Sequence, residues 1–327
     1  MLKVSIALAD SPRGRPIVDG RVKVEGVRLL PTVVHPSEMF WRQLRYGDFD
    51  VSEMSMSSLL IAASRGDHAW TALPVFTTRR FFHTWVMVRR GAGITSPQDL
   101  IGRRVGVPEY QQTAAVWSRG ILEQYFGVRA TEIEWFMERG PDRSHGASTG
   151  FSPPPGVRLN QIPPGQDIGG MLAAGELDAT LLYLSDANLV DRARLPIGKV
   201  AEPLFPDAVA EGRRFHAETG LYPINHVVVV RRALLERYPW LALNLYGAFV
   251  RAQELLAKDA QYLIQAALET GRIAPDAAQA LAHDVAPYGL SASRAELERI
   301  AAYLLQQGLI SAPLDITAVF APSTIDL

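Results

Sequence analysis

Cysteine is absent from this 327-residue chain. Its absence excludes disulfides, thiolate metal sites and a cysteine nucleophile, and it leaves the redox compartment open. An excess of charge is missing too: 33 Lys and Arg face 34 Asp and Glu, for a formal net charge of −1. Nothing in that balance draws a polyanion, so no nucleic-acid partner is expected. No apolar run reaches the roughly 18–20 residues of a membrane span. The start, MLKVSIALAD, has no basic segment followed by an apolar stretch and a small-residue cleavage site. It alternates instead, with Leu2, Val4, Ile6 and Leu8 on one face. A strand is therefore expected from the first residues, and the protein is expected in the cytoplasm. Neither G-x-G-x-x-G nor H-x-H nor H-E-x-x-H occurs, which leaves a dinucleotide loop or a zinc site without its usual spacing. A divalent metal has no support in spacing, although histidines from separate lobes can still meet around one.

What is present suits a soluble globular protein, with 48% apolar and 20% charged residues. The length fits two domains or one large one. After the first strand, GVRLLPTVV reads as a second, and Ser37 as the N-cap of a helix over EMFWRQLRYG that Gly47 ends. FDVSEMS is a third strand, and Ser57 or Ser58 caps SLLIAASRG. Strands too apolar for one-sided exposure imply a sheet covered by helices on both faces. The pattern then repeats: TWVMVRR, Arg104–Val107 and EIEWFM read as strands. Thr113 caps a helix whose Ala114, Trp117, Ile121 and Tyr125 share one buried face, with Gly127 as the stop. A helix and strand joined at Gly175 follow, HVVVVRR is a buried strand, and the chain is mostly helical from Pro239. This order predicts an α/β protein of two lobes, residues 1–83 with 201–327 and residues 84–200, with two crossings and one cleft. The stretch 139–156, RGPDRSHGASTGFSPPPG, lacks apolar periodicity and reads as a long mobile loop, either a surface insertion or a lid. The helical C-terminal third either packs on the first lobe or covers a homo-oligomer interface.

Six blocks stand in order over about residues 1–250: FDVSEMSMSSLL, LPVFTTRRFFH, DLIGRRVGVPEYQQTAAVWSRGILEQYFGV, GELDA, LFPD and TGLYPINHVVVVRR. In that combination the chain resembles the 4,5-dihydroxyphthalate decarboxylase family. The resemblance implies a type II periplasmic-binding-protein-like fold, with two α/β lobes, two hinge crossings and the ligand between them. It also implies a non-oxidative carboxy-lyase that removes one carboxylate from a dihydroxylated phthalate without an organic cofactor. Two segments depart from the family's pattern. After GELDA the chain runs TLLYLSDAN, where the family usually has a short arginine- and proline-bearing segment, and 139–156 is longer and lacks a basic block. Both lie where a ligand would touch the second lobe, so they bear on the substrate more than on the fold.

Ligands in open α/β lobes sit outside the carboxyl ends of strands. With two lobes, that nominates Asp10 and Ser11, Ser55 and Ser57, the polar knot from Thr77 to His83, the helix start at Tyr110 to Thr113, and Asn225 with His226. Arg79 and Arg80 lie between two apolar runs, and a guanidinium fork matches a carboxylate two-on-two. They are expected to hold the carboxylates of a small aromatic acid. The backbone N–H groups at Thr113 add to that, and Ser55 and Ser57 meet ring hydroxyls. The competing reading has one arginine bridging the lobes and the other solvated. Decarboxylating an aromatic ring without a metal needs a proton donor at the ring carbon, and histidine's ordinary pKa suits the task. His83 and His226 flank the crossings and are the catalytic candidates. His35, His68, His145, His216 and His283 lie in helical or loop contexts and are set aside. Glu53, in an apolar strand, needs a partner, with Arg79 or Arg80 the expected one, or else serves as a base; Glu109 is a second carboxylate candidate. Tyr110 either stacks on a ligand or joins the core, and Trp85 and Trp117 read as core. The same residues serve a second function, a solute-binding protein for a small anionic aromatic carboxylate in transport or sensing, because the fold does not decide between the two.

Overall fold

The structure, a computed structural model, describes residues 1–281 and 286–327; His283 lies outside the described residues. The first part of the chain runs β1 (Leu2–Leu8), α1 (Arg15–Val18), β2 (Val27–Val33), α2 (Pro36–Tyr46), β3 (Val51–Ser55), α3 (Met56–Ser64) and β4 (Trp70–Arg79). The middle part runs β5 (Met87–Arg89), β6 (Arg104–Val107), α4 (Thr113–Phe126), β7 (Glu134–Met137), α5 (Gly146–Thr149), β8 (Arg158–Gln161), α6 (Ile168–Ala173), β9 (Ala179–Thr180) and β10 (Ala201–Pro203). It closes with α7 (Ala208–Thr219), β11 (Ile224–Arg231), α8 (Arg232–Arg237), α9 (Leu241–Glu269), α10 (Pro275–Leu281) and α11 (Arg294–Gln306).

Two sheets result, in the orders β2-β1-β3-β11-β4 and β10-β5-β9-β6-β7-β8. The run of valines explains why β11 enters the middle of the first sheet. Val228 and Val230 join one buried cluster with Leu245 and Phe249 of α9. Val227 and Val229, on the opposite pleat, join another with Met54 and Leu60. A strand buried on both faces needs partners on both edges, and β3 and β4 provide them, both antiparallel to β11. The chain leaves the first sheet after β4 and returns before β11, which gives the two crossings of a two-lobed fold. The second sheet also takes in β10, antiparallel to β5, so it reaches past the boundary expected at residue 200. The C-terminal helices tie the lobes: Tyr303 of α11 meets Trp117 of α4 edge-on at 5.5 Å. It lies over Gly120, where a Cβ would stand 2.3 Å from its ring. Among the described residues no helix is long and apolar enough to cross a membrane.

Several expected boundaries move. α2 starts at Pro36, and its N-cap is His35, whose Nδ1 accepts from the Ser37 N–H at 3.3 Å. A proline at the first helical position is pre-set for the helix and needs no N–H partner, so Ser37 lies inside the first turn. Likewise α3 starts at Met56 after Ser55, which places Ser57 and Ser58 in its first turn rather than at its cap. Gln112, not Thr113, is the N-cap position of α4. Only Met87–Arg89 of TWVMVRR is a strand, because Phe82–Trp85 form a 3-10 turn. The 139–156 stretch carries α5 and buries Arg139, Ser144, His145 and Thr149. These four side chains are polar, and Arg139, His145 and Thr149 bond to partners outside the stretch, Asp191 and Ser37, Ser58, and Gln111, which is why no apolar period marks them.

Candidate active site

Both sheets turn strand ends toward one cavity of about 580 Å³, a size that suits a single substituted ring. The first lobe contributes Asp10 and Ser11 after β1, His35 after β2, Ser55 at the end of β3, and Thr78 and Arg80 at the end of β4. The second contributes Gln112, Thr113 and Ala114 at the start of α4, Arg139 and His145 after β7, and Leu182 and Leu184 after β9. Asn225 and His226 enter from β11. There the register shifts on both sides of His226, an irregularity of the kind that re-aims side chains beside sites. Phe40, Phe82 and Trp85 supply aromatic wall.

His226 sits in the sheet opposite Ser55 on one side and Thr78 on the other. Its Nδ1 lies 3.0 Å from Glu53 Oε2. Glu53 is fully buried and accepts two further hydrogen bonds, from the Ala9 N–H at 2.8 Å and the Thr77 hydroxyl at 2.6 Å. Burial alone pushes the Glu53 carboxyl up. The hydrogen bond and charge of His226, with Thr77 and Ala9, outweigh burial and hold it below its ordinary value. An ionised acceptor at Nδ1 fixes the ring's N–H there and leaves Nε2 for the cavity. Among the described residues no protein group bonds to that nitrogen. Phe40 braces the ring edge-on at 4.8 Å.

Another histidine of the cavity, His145, is almost wholly buried. Burial is the main cause of its strongly lowered pKa, followed by the charges of Arg139 and His226. Its Nε2 lies 3.3 Å from Arg139 Nη1 and its Nδ1 3.1 Å from Ser58 Oγ. Arg139 in turn donates to Asp191 at 2.8 Å and to Ser37 at 2.7 Å. The 139–150 stretch thus clasps α2 and α3 of the other lobe, with Trp41 Nε1 donating to the Asp142 carbonyl at 2.9 Å and Arg65 to that of Thr149. A second interlobe knot joins Ser55 and Thr113, whose hydroxyls are 2.8 Å apart, and Ser57, which donates to the Gln111 carbonyl at 2.6 Å.

Of the residues expected in the site, Arg80, Ser11, Ser55, Thr113, Asn225 and His226 come together around the cavity. Arg80 is exposed, stands 5.2 Å over the Trp85 ring, and has no carboxylate partner among the described residues. Arg79 points the other way. It is buried and bonds Glu296 at 3.0 Å and Ser293 at 2.7 Å, so it anchors the C-terminal segment to the first lobe. His83 is fully buried against Phe205 and Phe215, with its Nε2 3.1 Å from Glu211, away from the cavity. Ser57 is fully buried and does not line the cavity, and Tyr110 is core, stacked beneath Arg119 at 3.8 Å. Glu53 pairs with His226 rather than with either arginine. Glu109 is buried under His145, whose N–H it accepts at 2.9 Å, and burial raises its pKa. Trp85 is 39% exposed at the cavity mouth, not core, whereas Trp117 is core. Sequence reasoning missed His35, His145 and Arg139. The signal available was their place just after β2 and β7. The run Gly146–Gly150 has the G-x-S-x-G spacing of a nucleophile elbow. Ser148, however, lies in a four-residue helix, and no histidine bonds its hydroxyl among the described residues. Among the described residues no three His, Asp or Glu side chains are grouped to hold a metal ion.

No protein-family model matches the chain. Among solved structures, the alkanesulfonate-binding protein SsuA from Xanthomonas axonopodis pv. citri aligns over 98% of both chains with a TM-score of 0.56 at 12% identity. The desulfurization enzyme DSZB aligns over 98% of this chain and 97% of its own with a TM-score of 0.52 at 15% identity. These likenesses establish the two-lobed periplasmic-binding-protein fold. A 4,5-dihydroxyphthalate decarboxylase of Pseudomonas putida is 38% identical over 55% of this chain and 70% of its own. Another, of Comamonas testosteroni, is 33% identical over 99% of this chain and 98% of its own. With such identity over nearly the whole of both chains, this protein belongs to the 4,5-dihydroxyphthalate decarboxylase family.

Proposed function

We propose that the protein is a carboxy-lyase that removes one carboxylate from a hydroxylated aromatic dicarboxylate, 4,5-dihydroxyphthalate or a close relative, bound between the lobes. The observation that carries this reading is the Glu53–His226 pair at the cavity wall. Glu53 stabilises an imidazolium whose Nε2–H faces the ligand. The proton passes from Nε2 to the ring carbon that bears the leaving carboxylate, and the hydroxyl para to that carbon stabilises the resulting cation. The carbon–carbon bond then breaks, CO2 leaves, and the electron pair restores the ring. The imidazole regains its proton from solvent, so each turnover consumes one proton and yields a dihydroxybenzoate. Arg80 holds the carboxylate that stays, while Asn225, Ser11 and the hydroxyls of Ser55 and Thr113 meet the ring's polar substituents. Phe82 and Leu182, packed together with Ala114, form an apolar wall. Such a wall disfavours a carboxylate and favours neutral CO2.

The test is CO2 release by chelator-treated protein from a panel of hydroxylated phthalates and benzoates, with and without added divalent metal. His226→Ala is expected to lose about 10²-fold or more of the rate while phthalate still binds. Tight binding without release by the wild-type protein, metal or no metal, overturns the reading in favour of a solute-binding protein. Undiminished release by His226→Ala overturns the choice of acid.

A further inference from the structure

A second pocket, of about 400 Å³, lies on the outer side of the first crossing and shares Arg80 and Trp85 with the cleft. Its floor is aromatic, built from Phe81, Trp85 and Tyr222; its rim carries Arg80, Arg213 and His216, and no carboxylate lines it. Arg213 is exposed and, like Arg80, forms no ion pair among the described residues. The acidic groups of α7 point elsewhere: Glu211 faces His83 and Arg214, and Glu218 faces Arg214. On a chain of net charge −1, a pocket with two unpaired arginines and no acid is a local concentration of positive potential. Aromatic floor with basic rim is the chemistry that takes a flat ring bearing a carboxylate: ring faces pack on ring faces, and a guanidinium fork meets the carboxylate.

We propose that this outer pocket is a second binding site for aromatic carboxylates, an antechamber in which the substrate is captured before it reaches the cleft. Arg80, stacked 5.2 Å over Trp85, stands in the wall common to both spaces. Its swing across that ring keeps one carboxylate paired while the ligand moves inward. The inference rests on the cleft being the site of an aromatic acid, as proposed above, but its test does not need turnover.

Phthalate is the probe, because without a para hydroxyl it binds unreacted. Calorimetric titration of the wild-type protein is expected to show two phthalates per chain. Val209→Trp fills the outer pocket from a side chain that is 67% exposed, and Arg213→Glu reverses its rim charge; neither residue touches the cleft. Each is expected to abolish the weaker phthalate and keep the tighter one. Stopped-flow tryptophan fluorescence is expected to show about tenfold slower association at the cleft at low salt in Arg213→Glu, the difference shrinking as salt screens the steering. A single phthalate per chain in the wild type overturns the site. Two phthalates with an unchanged association rate in both variants overturns the capture role. If no panel compound releases CO2 yet these results hold, the antechamber stands and the decarboxylase reading falls.

Discussion

Replacing Glu53 with Gln removes one charge from a fully buried site without opening space. In the wild type, Glu53 accepts from Ala9 N–H, Thr77 hydroxyl and His226 Nδ1 at 2.8, 2.6 and 3.0 Å. An amide keeps one acceptor oxygen and turns the other position into an NH2 donor. With the amide oxygen kept on the Ala9 N–H, which binds the other carboxylate oxygen from Thr77 and His226, a neutral imidazole adapts by moving its proton to Nε2 and accepting at Nδ1, whereas an imidazolium has an N–H at Nδ1 and meets donor with donor. The change therefore falls on the protonated ring that the proposed reaction requires. A charge-assisted hydrogen bond contributes about 1.5–3 kcal/mol, so decarboxylation in Glu53→Gln should slow by roughly 10- to 150-fold. Phthalate affinity should hold, since the pair is neutral overall both as carboxylate with imidazolium and as amide with imidazole. Stability supplies an independent check. The folded Glu53 carboxyl sits below its ordinary value, so its contribution is complete above the unfolded pKa of about 4.3. It is lost as pH falls through the lower folded value. Urea unfolding between pH 7 and acid should accordingly show a shallower loss in the variant than in the wild type. Wild-type kcat in Glu53→Gln, with phthalate binding intact, refutes the reasoning outright.

Arg80→Ala should weaken phthalate by about 10- to 100-fold, the loss of a bidentate charged contact, and shift the urea midpoint little, because among the described residues Arg80 pairs with no carboxylate and loses only an exposed stack on Trp85. The two residues that turn away from the cavity should behave in the opposite manner. Arg79→Ala leaves Glu296 unpaired at the first-lobe surface of the C-terminal segment and should cost about 3–5 kcal/mol by urea denaturation. His83→Ala, which removes a partner of Glu211, should cost about 1–3 kcal/mol; in both variants the folded fraction should keep wild-type phthalate affinity and CO2 release. Loss of turnover without loss of stability in His83→Ala would return that histidine to the chemistry.

The fold was legible wherever apolar pattern decides it. β1 and β6 fall on the residues expected, because alternation and burial set them. The lining of the cavity was legible at strand ends, where Ser11, Ser55, Arg80, Asn225 and His226 converge. It was not legible in the choice within pairs. Arg79 and Arg80 are adjacent and chemically identical, and successive residues at a strand end face opposite sides; which side is cavity depends on where α11 lands. His83 and His226 are alike in sequence, yet Phe82–Trp85 coil into a 3-10 turn that tucks His83 under α7. Glu53 announced a need for a partner by standing in an apolar strand, but its partner is 173 residues away. The clasp at 139–150 was hidden for another reason: its buried side chains, Arg139, Ser144, His145 and Thr149, are polar, so hydropathy makes it look like a solvated loop.

Glu53 also bears on why this scaffold should do more than bind. A cleft built only to hold an aromatic carboxylate gains from donors: arginines, hydroxyls and helix-start N–H groups. A buried carboxylate behind the wall repels the ligand and carries its own desolvation cost. Three hydrogen bonds offset that cost, but none of the three needs a charged acceptor for affinity. What the charge does is hold the His226 ring with Nδ1 toward Glu53 and its Nε2 toward the cavity, where a proton donor both attracts a carboxylate and, in the proposed reaction, delivers its proton to the ring carbon. The clasp fits the same purpose: by joining 139–150 to α2 and α3 it closes one side of the cavity against water. That strengthens the attraction between imidazolium and substrate and keeps the proton from solvent until the ring carbon is in reach.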